Sequence, residues 1–402
     1  MKTFWKVMSY VLVAVVASSV TMAAAVGLYI VDLDTDSVTS TTDTTAAVLT
    51  QSKLEQLEAL ILDWYVGEAD KTAMEDAAAS AMVEAIGDRW SYYISAADYQ
   101  AYLEDMANEY VGIGITIQVN ENVDGLLVIQ VNPNGPAYEA GIQAGDVMVA
   151  VDGVDIRGMT TDETASLVKG EAGTFVDITF LREGEELTFH VERRQVAVEV
   201  VKYALLEGNV GLVTIVNFHS GCADAAMDAI KELRRQGAES FIFDVRNNGG
   251  GYASELVELL DYLLPEGPLF RTVSYSGEEQ VDYSGKSCLD APMVVLANRN
   301  SYSAAEFFAA ALVEYEAAAF VGEQTTGKGR YQVCYTLNDG SAVNISIGEY
   351  FTPNGNNLAD IGITPDVAVD VDEETFFAIY AGNLDPMADP QILAALEVLK
   401  DE

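Results

Sequence analysis

The sequence predicts a multidomain α/β protein, and three stretches of the 402-residue chain carry that prediction. Residues 51–108 have a helical pattern, because their large apolar side chains recur at steps of three and four residues. Residues 109–195 contain short β-branched runs separated by turns rich in Asn, Asp and Gly. From residue 200 to about 379, apolar strands alternate with helical stretches, which is typical of a layered α/β core.

The chain begins with an apolar segment. Residues 7–31 are uncharged and mostly apolar, with two lysines before them and aspartates after them. Such a run is long enough to span a bilayer, and the lysines orient its start toward the cytoplasm. We therefore expect residues 1–31 to be a transmembrane anchor, or else a signal peptide cleaved near the small residues 21–25. Both alternatives export the rest of the chain, and the Thr-, Ser- and Asp-rich residues 32–50 are expected to form a linker.

The composition excludes several classes of function. With 63 acidic and 21 basic side chains, the formal net charge is −42, which would repel phosphate backbones and argues against nucleic-acid binding. The chain has only two histidines, His190 and His219, so a metal site built mainly on imidazole is nearly excluded. The three cysteines show no CxxC pair and cannot make a full disulfide framework. We predict neither a metal nor a cofactor.

A glycine-rich turn opens the strands of residues 109–195. It consists of Gly112, Ile113, Gly114 and Ile115. Consecutive N–H groups in such a loop can bind a terminal carboxylate, and the adjacent strand edge can accept an extended peptide. The glycines could instead mark ordinary tight turns. Residues 141–146 are Gly-Ile-Gln-Ala-Gly-Asp, and with the strand order they make this module resemble a PDZ domain.

Ser303 is the first candidate for chemistry. It follows a predicted strand and starts a predicted helix, where helix N-terminal amides can help to stabilise an oxyanion. A purely structural interpretation also fits, because Ser303 and Glu306 form a Ser-x-x-Glu capping box. Ser301, two residues earlier, is interpreted as a loop residue.

Lys328 is the candidate base. Residues 327–332 are Gly-Lys-Gly-Arg-Tyr-Gln, and a lysine between glycines is usually a solvated turn residue. However, a serine nucleophile needs a base, and a desolvated lysine with a lowered pKa can serve as one. Gln332 could hold the neutral amine through its side-chain carbonyl. Neither histidine lies near a serine motif in the sequence, which makes a histidine base improbable.

A second glycine-rich turn, residues 247–251, ends a predicted strand and leads into a helix. Its free N–H groups could form half of an oxyanion hole. A phosphate cradle is the weaker alternative, because the Walker lysine and the GxGxxG spacing are both missing.

These motifs resemble those of the carboxyl-terminal processing peptidases, also called tail-specific proteases. The family's Ser-Ala-x-Glu and Gly-Lys-Gly-x-x-Gln motifs match residues 303–306 and 327–332, with the same order and separation. Its Asp-Leu-Arg-x-Asn segment and the glycines after it match residues 244–250. Further matches lie at residues 88–93, 350–355, 362–366 and 389–391, so that the similarity covers nearly everything from residue 51 onward.

The resemblance implies roles for particular residues. Ser303 would be the acylating nucleophile, Lys328 its base and Gln332 the residue that orients the lysine. The implied oxyanion hole consists of the N–H of Ala304 and one from the pair Gly249 and Gly250. The family pattern departs at Tyr302 and Ala305, which replace small or hydroxylic residues and put specificity in doubt.

The resemblance also implies an organisation and a fold. The core would be crotonase-like, with the PDZ domain inserted after the N-terminal helices. The expected boundaries are 1–31 anchor or signal, 32–50 linker, 51–108 helical region, 109–195 PDZ domain, 196–384 serine peptidase core and 385–402 helical tail.

The implied function is that of a serine endopeptidase that cleaves extracytoplasmic proteins or peptides near or from an apolar C-terminus. The PDZ domain would recruit substrate ends or gate the activity. Two alternatives remain: a catalytically silent, membrane-tethered PDZ scaffold, and a crotonase-like enzyme that acts on acyl thioesters, which the export signal disfavours. The family often dimerises through its helical ends, so a homodimer is also expected.

Overall fold

The computed structural model describes residues 52–120 and 123–401. The predicted anchor or signal, residues 1–31, and the predicted linker, residues 32–50, lie outside the described residues. The described residues fall into two compact units, divided between Ala81 and Met82. Across the described ranges, no helix is both long enough and apolar enough to cross a membrane.

The first unit contains helix α1 (Lys53–Trp64) and most of helix α2 (Lys71–Glu84). Ser52 begins α1 with a capping box, in which the Glu55 N–H donates to the Ser52 hydroxyl at 3.3 Å. The Lys71 ammonium pairs with Glu58 and joins the two helices. The helical prediction is therefore confirmed for this stretch.

The prediction of a helical region over residues 51–108 did not include one strand that the structure has there. Residues Tyr92–Ile94 form strand β1, which pairs antiparallel with residues 342–344. Three residues are too few to show a periodic pattern, and the partner strand lies far along the chain, so local sequence gives no signal for β1. Helix α3 (Ala96–Ala107) follows as predicted, capped by Ser95, whose hydroxyl accepts the Asp98 N–H at 3.2 Å.

The next part of the chain is a small β module. Its elements are β2 (Glu109–Gly112), β3 (Ile115–Val119), β4 (Leu126–Val131), α4 (Pro136–Ala140), β5 (Val147–Val151), β6 (Val154–Asp155), α5 (Thr161–Val168), β7 (Phe175–Arg182), β8 (Glu185–Glu192) and β9 (Arg194–Ala197). The sheet runs in the order β3-β4-β5-β7-β8, with β6 beside β5. Met148, Ile178 and Phe180 are fully buried in its own core. Strands β2 and β9 form a separate antiparallel ribbon where the chain enters and leaves the module.

The remaining elements follow in chain order. They are β10 (Val201–Leu206), β11 (Val210–Ile215), α6 (Cys222–Gln236), β12 (Ser240–Asp244), α7 (Ala253–Leu263), β13 (Gly267–Ser274), β14 (Glu279–Ser284), β15 (Met293–Ala297), α8 (Ala304–Glu314), β16 (Ala318–Gly322), β17 (Arg330–Thr336), β18 (Ala342–Phe351), β19 (Val367–Ala368), α9 (Glu373–Tyr380) and α10 (Pro390–Asp401). Strand and helix alternate as the sequence predicted. The structure adds the hairpin β13–β14, which the sequence analysis did not identify.

One sheet of this core has the order β10-β11-β12-β15-β16-β19, and every neighbouring pair except β10–β11 is parallel. Successive side chains of a strand point to opposite faces of the sheet, and in this sheet both faces are buried. Phe241 and Phe243 pack into the cluster that contains α6, α7 and α8. Ile242, between them, packs on the other face with Ile392 and Leu396 of α10. The predicted C-terminal helical tail is therefore part of the core.

The second sheet of the core is antiparallel, with the order β1-β18-β13-β14 and β17 also paired to β18. The predicted hairpin between β17 and β18 is confirmed. This sheet matters for the site because β17 begins directly after the Gly-Lys-Gly segment, while β18 carries Tyr350 near its end.

Candidate active site

Ser303 is held in a strained backbone conformation at the start of α8. Its φ is +59° and its ψ is −130°, a region that non-glycine residues rarely occupy. Such a conformation costs about 1–3 kcal/mol, and strain of this kind clusters at functional sites. Ser303 is 8% exposed, and its hydroxyl oxygen accepts a hydrogen bond from the Tyr350 hydroxyl at 3.2 Å.

Ser301 has a structural role, as the sequence analysis expected. Its side chain is fully buried. Its hydroxyl donates to the carbonyl of Val245 at 2.7 Å and accepts the N–H of Asn298 at 3.0 Å. Those two bonds hold the loop that follows β15, so Ser303 is the better nucleophile candidate.

The glycine-rich turn lies directly against Ser303. Gly250 has a φ of +89°, and a Cβ built on it would lie 2.6 Å from the Ser303 Cβ and 2.9 Å from the Ala304 nitrogen. Glycine is therefore required there, both for backbone conformation and for space. Asn248 joins this turn to the loop before α8, because its backbone carbonyl accepts the Tyr302 N–H at 3.1 Å.

The two candidate glycines differ in their hydrogen bonding. The Gly250 N–H donates to the side-chain oxygen of Asn248 at 2.8 Å. Within the described part of the chain, the Gly249 N–H has no acceptor, and neither has the N–H of Ala304, the first residue of α8. Unpaired N–H groups are therefore present at two of the positions that the sequence analysis named, one in the glycine-rich turn and one at the start of α8.

Glu306 is fully buried and joins the start of α8 to the lysine loop. Its carboxylate accepts four hydrogen bonds: from the N–H of Ser303 (3.3 Å), the hydroxyl of Thr325 (2.5 Å), the N–H of Gly327 (2.6 Å) and the N–H of Lys328 (2.9 Å). Burial raises the pKa of the Glu306 carboxyl, although these bonds act in the opposite direction. The capping-box interpretation therefore captures only one of the contacts of this side chain.

Lys328 is partly buried, contrary to the usual behaviour of a lysine between two glycines. Its Nζ lies 4.9 Å from the ring centroid of Trp90 and 5.9 Å from that of Tyr302. Burial lowers the pKa of the Lys328 amine to about 8, while the charges of Asp88 and Glu306 oppose that shift. At neutral pH the amine is therefore still mostly charged, but its neutral form, which a general base requires, is far more populated than in an ordinary lysine.

Trp90 and Asp88 complete the surroundings of the lysine, and the sequence analysis gave neither of them a role. The Trp90 and Tyr302 rings lie 5.5 Å apart, so they flank the amine together. Burial disfavours ionisation of Asp88, but hydrogen bonds from Ser346 and Ser91 outweigh it and hold the pKa of this carboxyl below its ordinary value. The match of residues 88–93 to the family was a signal that this segment lies at the site.

Gln332 does not contact the amine in this structure. Its side-chain nitrogen donates to the carbonyl of Arg330 at 3.0 Å and to the hydroxyl of Ser346 at 2.9 Å. No hydrogen bond joins Gln332 to Lys328 among the described residues. Its role in orienting the lysine stays a prediction.

Both histidines have other partners. The Nδ1 atom of His219 lies 2.9 Å from the carbonyl oxygen of Asp105. His190 lies in the β module, where its Nδ1 atom is 2.6 Å from a carboxylate oxygen of Asp177. These positions leave Lys328 as the better candidate base.

The glycine-rich loop of the β module lies between β2 and β3. Gly112 ends β2, Ile113 is buried, Gly114 has a φ of +82° and Ile115 begins β3. A Cβ on Gly114 would lie 3.1 Å from the Gly135 Cα, so this close approach requires glycine. Strand β3 is the last strand of its sheet, and α5 packs beside it.

Comparison with known proteins agrees with this architecture. Residues 209–369 match the model of peptidase family S41, and residues 111–192 match that of the PDZ domain. A carboxyl-terminal-processing protease of Synechocystis is 32% identical over 298 residues, which are 72% of this chain and 69% of that protein. The carboxy-terminal processing protease CtpA of Bacillus subtilis is 30% identical over 79% of this chain and 69% of its own length.

A solved structure shows the same fold. The putative S41 protease of Bacteroides fragilis superposes with a TM-score of 0.54 over 86% of this chain and 97% of that one, at 18% identity. Fold and relatives define the chain as a serine-type peptidase that carries a PDZ domain. It belongs to peptidase family S41, in which its relatives are carboxyl-terminal processing proteases.

Proposed function

We propose that this protein is a serine endopeptidase with a Ser303–Lys328 catalytic pair. It would cleave extracytoplasmic proteins or peptides near or from their C-terminus. The observation that carries the proposal is the desolvated Lys328 amine, with a pKa lowered to about 8, on a loop that Glu306 ties to the Ser303 N–H. A second support is the strained backbone of Ser303, together with the unpaired N–H groups of the neighbouring Ala304 and of Gly249.

In the proposed acylation step, the Ser303 oxygen attacks the carbonyl carbon of the scissile peptide bond. The hydroxyl proton passes to the neutral Lys328 Nζ, and the carbonyl oxygen becomes the oxyanion. The resulting ammonium then gives this proton to the departing amine, and the acyl-enzyme forms. In deacylation, water attacks the ester carbonyl while Lys328 accepts one of its protons. The ester bond to Ser303 then breaks, this proton returns to the Ser303 oxygen, and the carboxylic acid product leaves and gives its own proton to solvent.

The Ala304 and Gly249 N–H groups are the proposed oxyanion donors. Gly250 is the less suitable donor of the glycine pair, because its N–H is already bonded to Asn248. Donors that are fixed before the reaction stabilise the developing charge without reorganisation. Gln332 is proposed to orient the amine when substrate binds, because catalytic hydrogen bonds often tighten only in the substrate complex.

The β module is proposed to bind the apolar C-terminus of the substrate at residues 112–115, with the peptide added along the free edge of β3. The position of β3 at the end of its sheet supports this mode of binding. We also propose a crotonase-like core, the domain boundaries given above, an N-terminal membrane anchor with an extracytoplasmic catalytic part, and a homodimer.

The test uses the full-length protein and its Ser303→Ala and Lys328→Ala variants. Each is incubated with an unstructured protein that has an apolar C-terminus, and fragments are followed by mass spectrometry. Lys286→Ala, which removes an exposed lysine, serves as the matched control. We expect cleavage by the parent and the control and none by the other two variants. Undiminished cleavage by Ser303→Ala would overturn the assignment of the nucleophile, and binding of the C-terminus without any cleavage would favour the scaffold alternative.

A further inference from the structure

Tyr350 is a buried residue in contact with the candidate nucleophile, Ser303. It is the ninth residue of β18, is 4% exposed, and its hydroxyl donates to the Ser303 oxygen at 3.2 Å. Its ring packs edge-on against Phe307, with centroids 4.4 Å apart, and lies 5.6 Å from the ring of Phe270. The hydroxyl therefore reaches Ser303 from within an aromatic cluster.

Packing alone does not explain the hydroxyl of Tyr350. The ring neighbours are phenylalanines, and a third phenylalanine would fill the same space without burying a polar group. A buried hydroxyl costs free energy unless it finds a hydrogen-bond partner. Among the described residues, the only hydrogen-bond partner of the Tyr350 hydroxyl is the Ser303 oxygen.

The bond leaves Ser303 free to react. A serine oxygen has one proton and two lone pairs. The hydrogen bond from Tyr350 occupies one lone pair, so the other lone pair can attack a carbonyl and the proton can move to Lys328. Burial raises the pKa of Tyr350 above its ordinary value, so this hydroxyl stays protonated and keeps the proton that it donates to Ser303.

We propose that Tyr350 is a further catalytic residue, whose hydroxyl fixes the Ser303 oxygen and stabilises the negative charge that develops on it in acylation and deacylation. The inference rests on the proposed function, since it takes Ser303 as the nucleophile. No proton leaves Tyr350: the Ser303 proton goes to Lys328, and the Tyr350 hydroxyl keeps its own proton throughout. A donor aimed at the attacking oxygen acts where the charge forms, as oxyanion donors do at the carbonyl oxygen.

A structural role would have different consequences. If Ser303 served only as a partner for a buried tyrosine, removal of the Tyr350 hydroxyl would change stability and leave turnover intact. If Tyr350 acts on the reacting oxygen, its removal lowers the rate of every step in which that oxygen gains charge. We expect substrate binding to be unaffected in both cases, because the Tyr350 hydroxyl is buried within the aromatic cluster.

The test compares full-length parent protein with Tyr350→Phe, which keeps the ring, and with Tyr315→Phe as a control. Tyr315 packs against the same core, and its hydroxyl donates to the carbonyl of Pro268 at 3.0 Å. Two quantities are measured: kcat and KM on a peptide, and the rate at which a fluorophosphonate labels Ser303, with the label mapped by mass spectrometry.

For Tyr350→Phe we expect kcat and the labelling rate to fall about 10- to 100-fold, with KM within about twofold, as loss of a bond to a charged oxygen predicts. Tyr315→Phe should keep the parental kcat and labelling rate. Parental kcat and labelling in Tyr350→Phe would overturn the role of Tyr350 and leave the nucleophile intact. A parent that is not labelled at Ser303, together with an active Ser303→Ala variant, would overturn both proposals.

Discussion

The carboxylate of Glu306 accepts the backbone N–H of Lys328 at 2.9 Å. The same carboxylate accepts the N–H of Ser303, so one buried side chain holds the backbones of the candidate nucleophile and the candidate base. The site also includes the aromatic rings around the Lys328 amine and the Tyr350 hydroxyl that is bonded to Ser303. Four separate segments of the chain supply these groups.

Replacing Glu306 by glutamine should reduce both stability and activity. The amide keeps the size of the side chain, but its nitrogen would face N–H donors that the carboxylate oxygens now accept. Leaving such buried donors unpaired should lower the free energy of unfolding by about 2–4 kcal/mol. Urea denaturation measures this loss, and Glu397→Gln on the exposed face of α10 is the control. A midpoint equal to that of the parent would contradict the proposed role of Glu306.

The activity should depend on pH through Lys328. Its pKa is lowered to about 8, so the amine is charged below that pH and becomes neutral above it. Because the base must be neutral, kcat/KM should rise as pH increases, with its midpoint near 8. Asp88→Asn should move that midpoint downward, because the Asp88 charge favours the protonated amine. A profile on a neutral peptide that is flat between about pH 6.5 and 9.5 would rule out Lys328 as the titrating base.

Lys328 should reduce the stability of the fold at neutral pH. Its pKa is about 8 in the folded state and 10.5 in the unfolded chain, so between these values the unfolded state binds more protons and stability rises with pH. Below pH 8 the whole penalty of burying the charge is present. Lys328→Met should therefore raise the melting temperature at pH 7, and the gain should shrink toward pH 10.5. Calorimetry at both pH values tests this, and an equal gain at both would contradict it.

A buried ion pair should hold α10 to the carboxyl end of β12. A guanidinium nitrogen of Arg246 lies 2.8 Å from a carboxylate oxygen of Asp389, and Arg246 also pairs with Asp244. All three side chains are almost fully buried. Asp389 also caps α10, because its carboxylate accepts the Gln391 N–H at 2.9 Å. Asp389→Ala should lower the free energy of unfolding by about 3–5 kcal/mol, since it removes both contacts.

Chemical denaturation measures this difference for Asp389→Ala. The control is Glu397→Ala, which removes an exposed pair with Lys400 on the same helix and should cost less than about 1 kcal/mol. If the two variants lose similar amounts of stability, the buried ion pair does not anchor α10.

Much of the site was predictable because its motifs are local. Ser303, Lys328 and the glycine turn were identified from short runs of sequence, and the structure places them around one buried carboxylate. Tyr350 and Trp90 received no role, although both lie in segments that match the family. Their importance comes from contacts with residues distant in sequence, which no short motif encodes.

The same distinction holds for the fold. Alternation of apolar runs with helical stretches predicted the α/β core, the β module and the hairpin of β17 and β18, because each depends on periodicity within one stretch. Strand β1 and the packing of α10 against the sheet were not predicted, since each depends on partners elsewhere in the chain.

The sequence by itself determined the class of fold, the family and the residues that carry reactive groups, because side-chain chemistry and local periodicity are properties of short segments. Only the tertiary structure decided how those groups behave. The lowered pKa of Lys328 requires burial beside Trp90, the strain at Ser303 requires a surrounding loop network, and the Tyr350 bond requires a strand from another sheet. Desolvation and geometry arise only when distant segments pack together, which is why they are absent from the sequence.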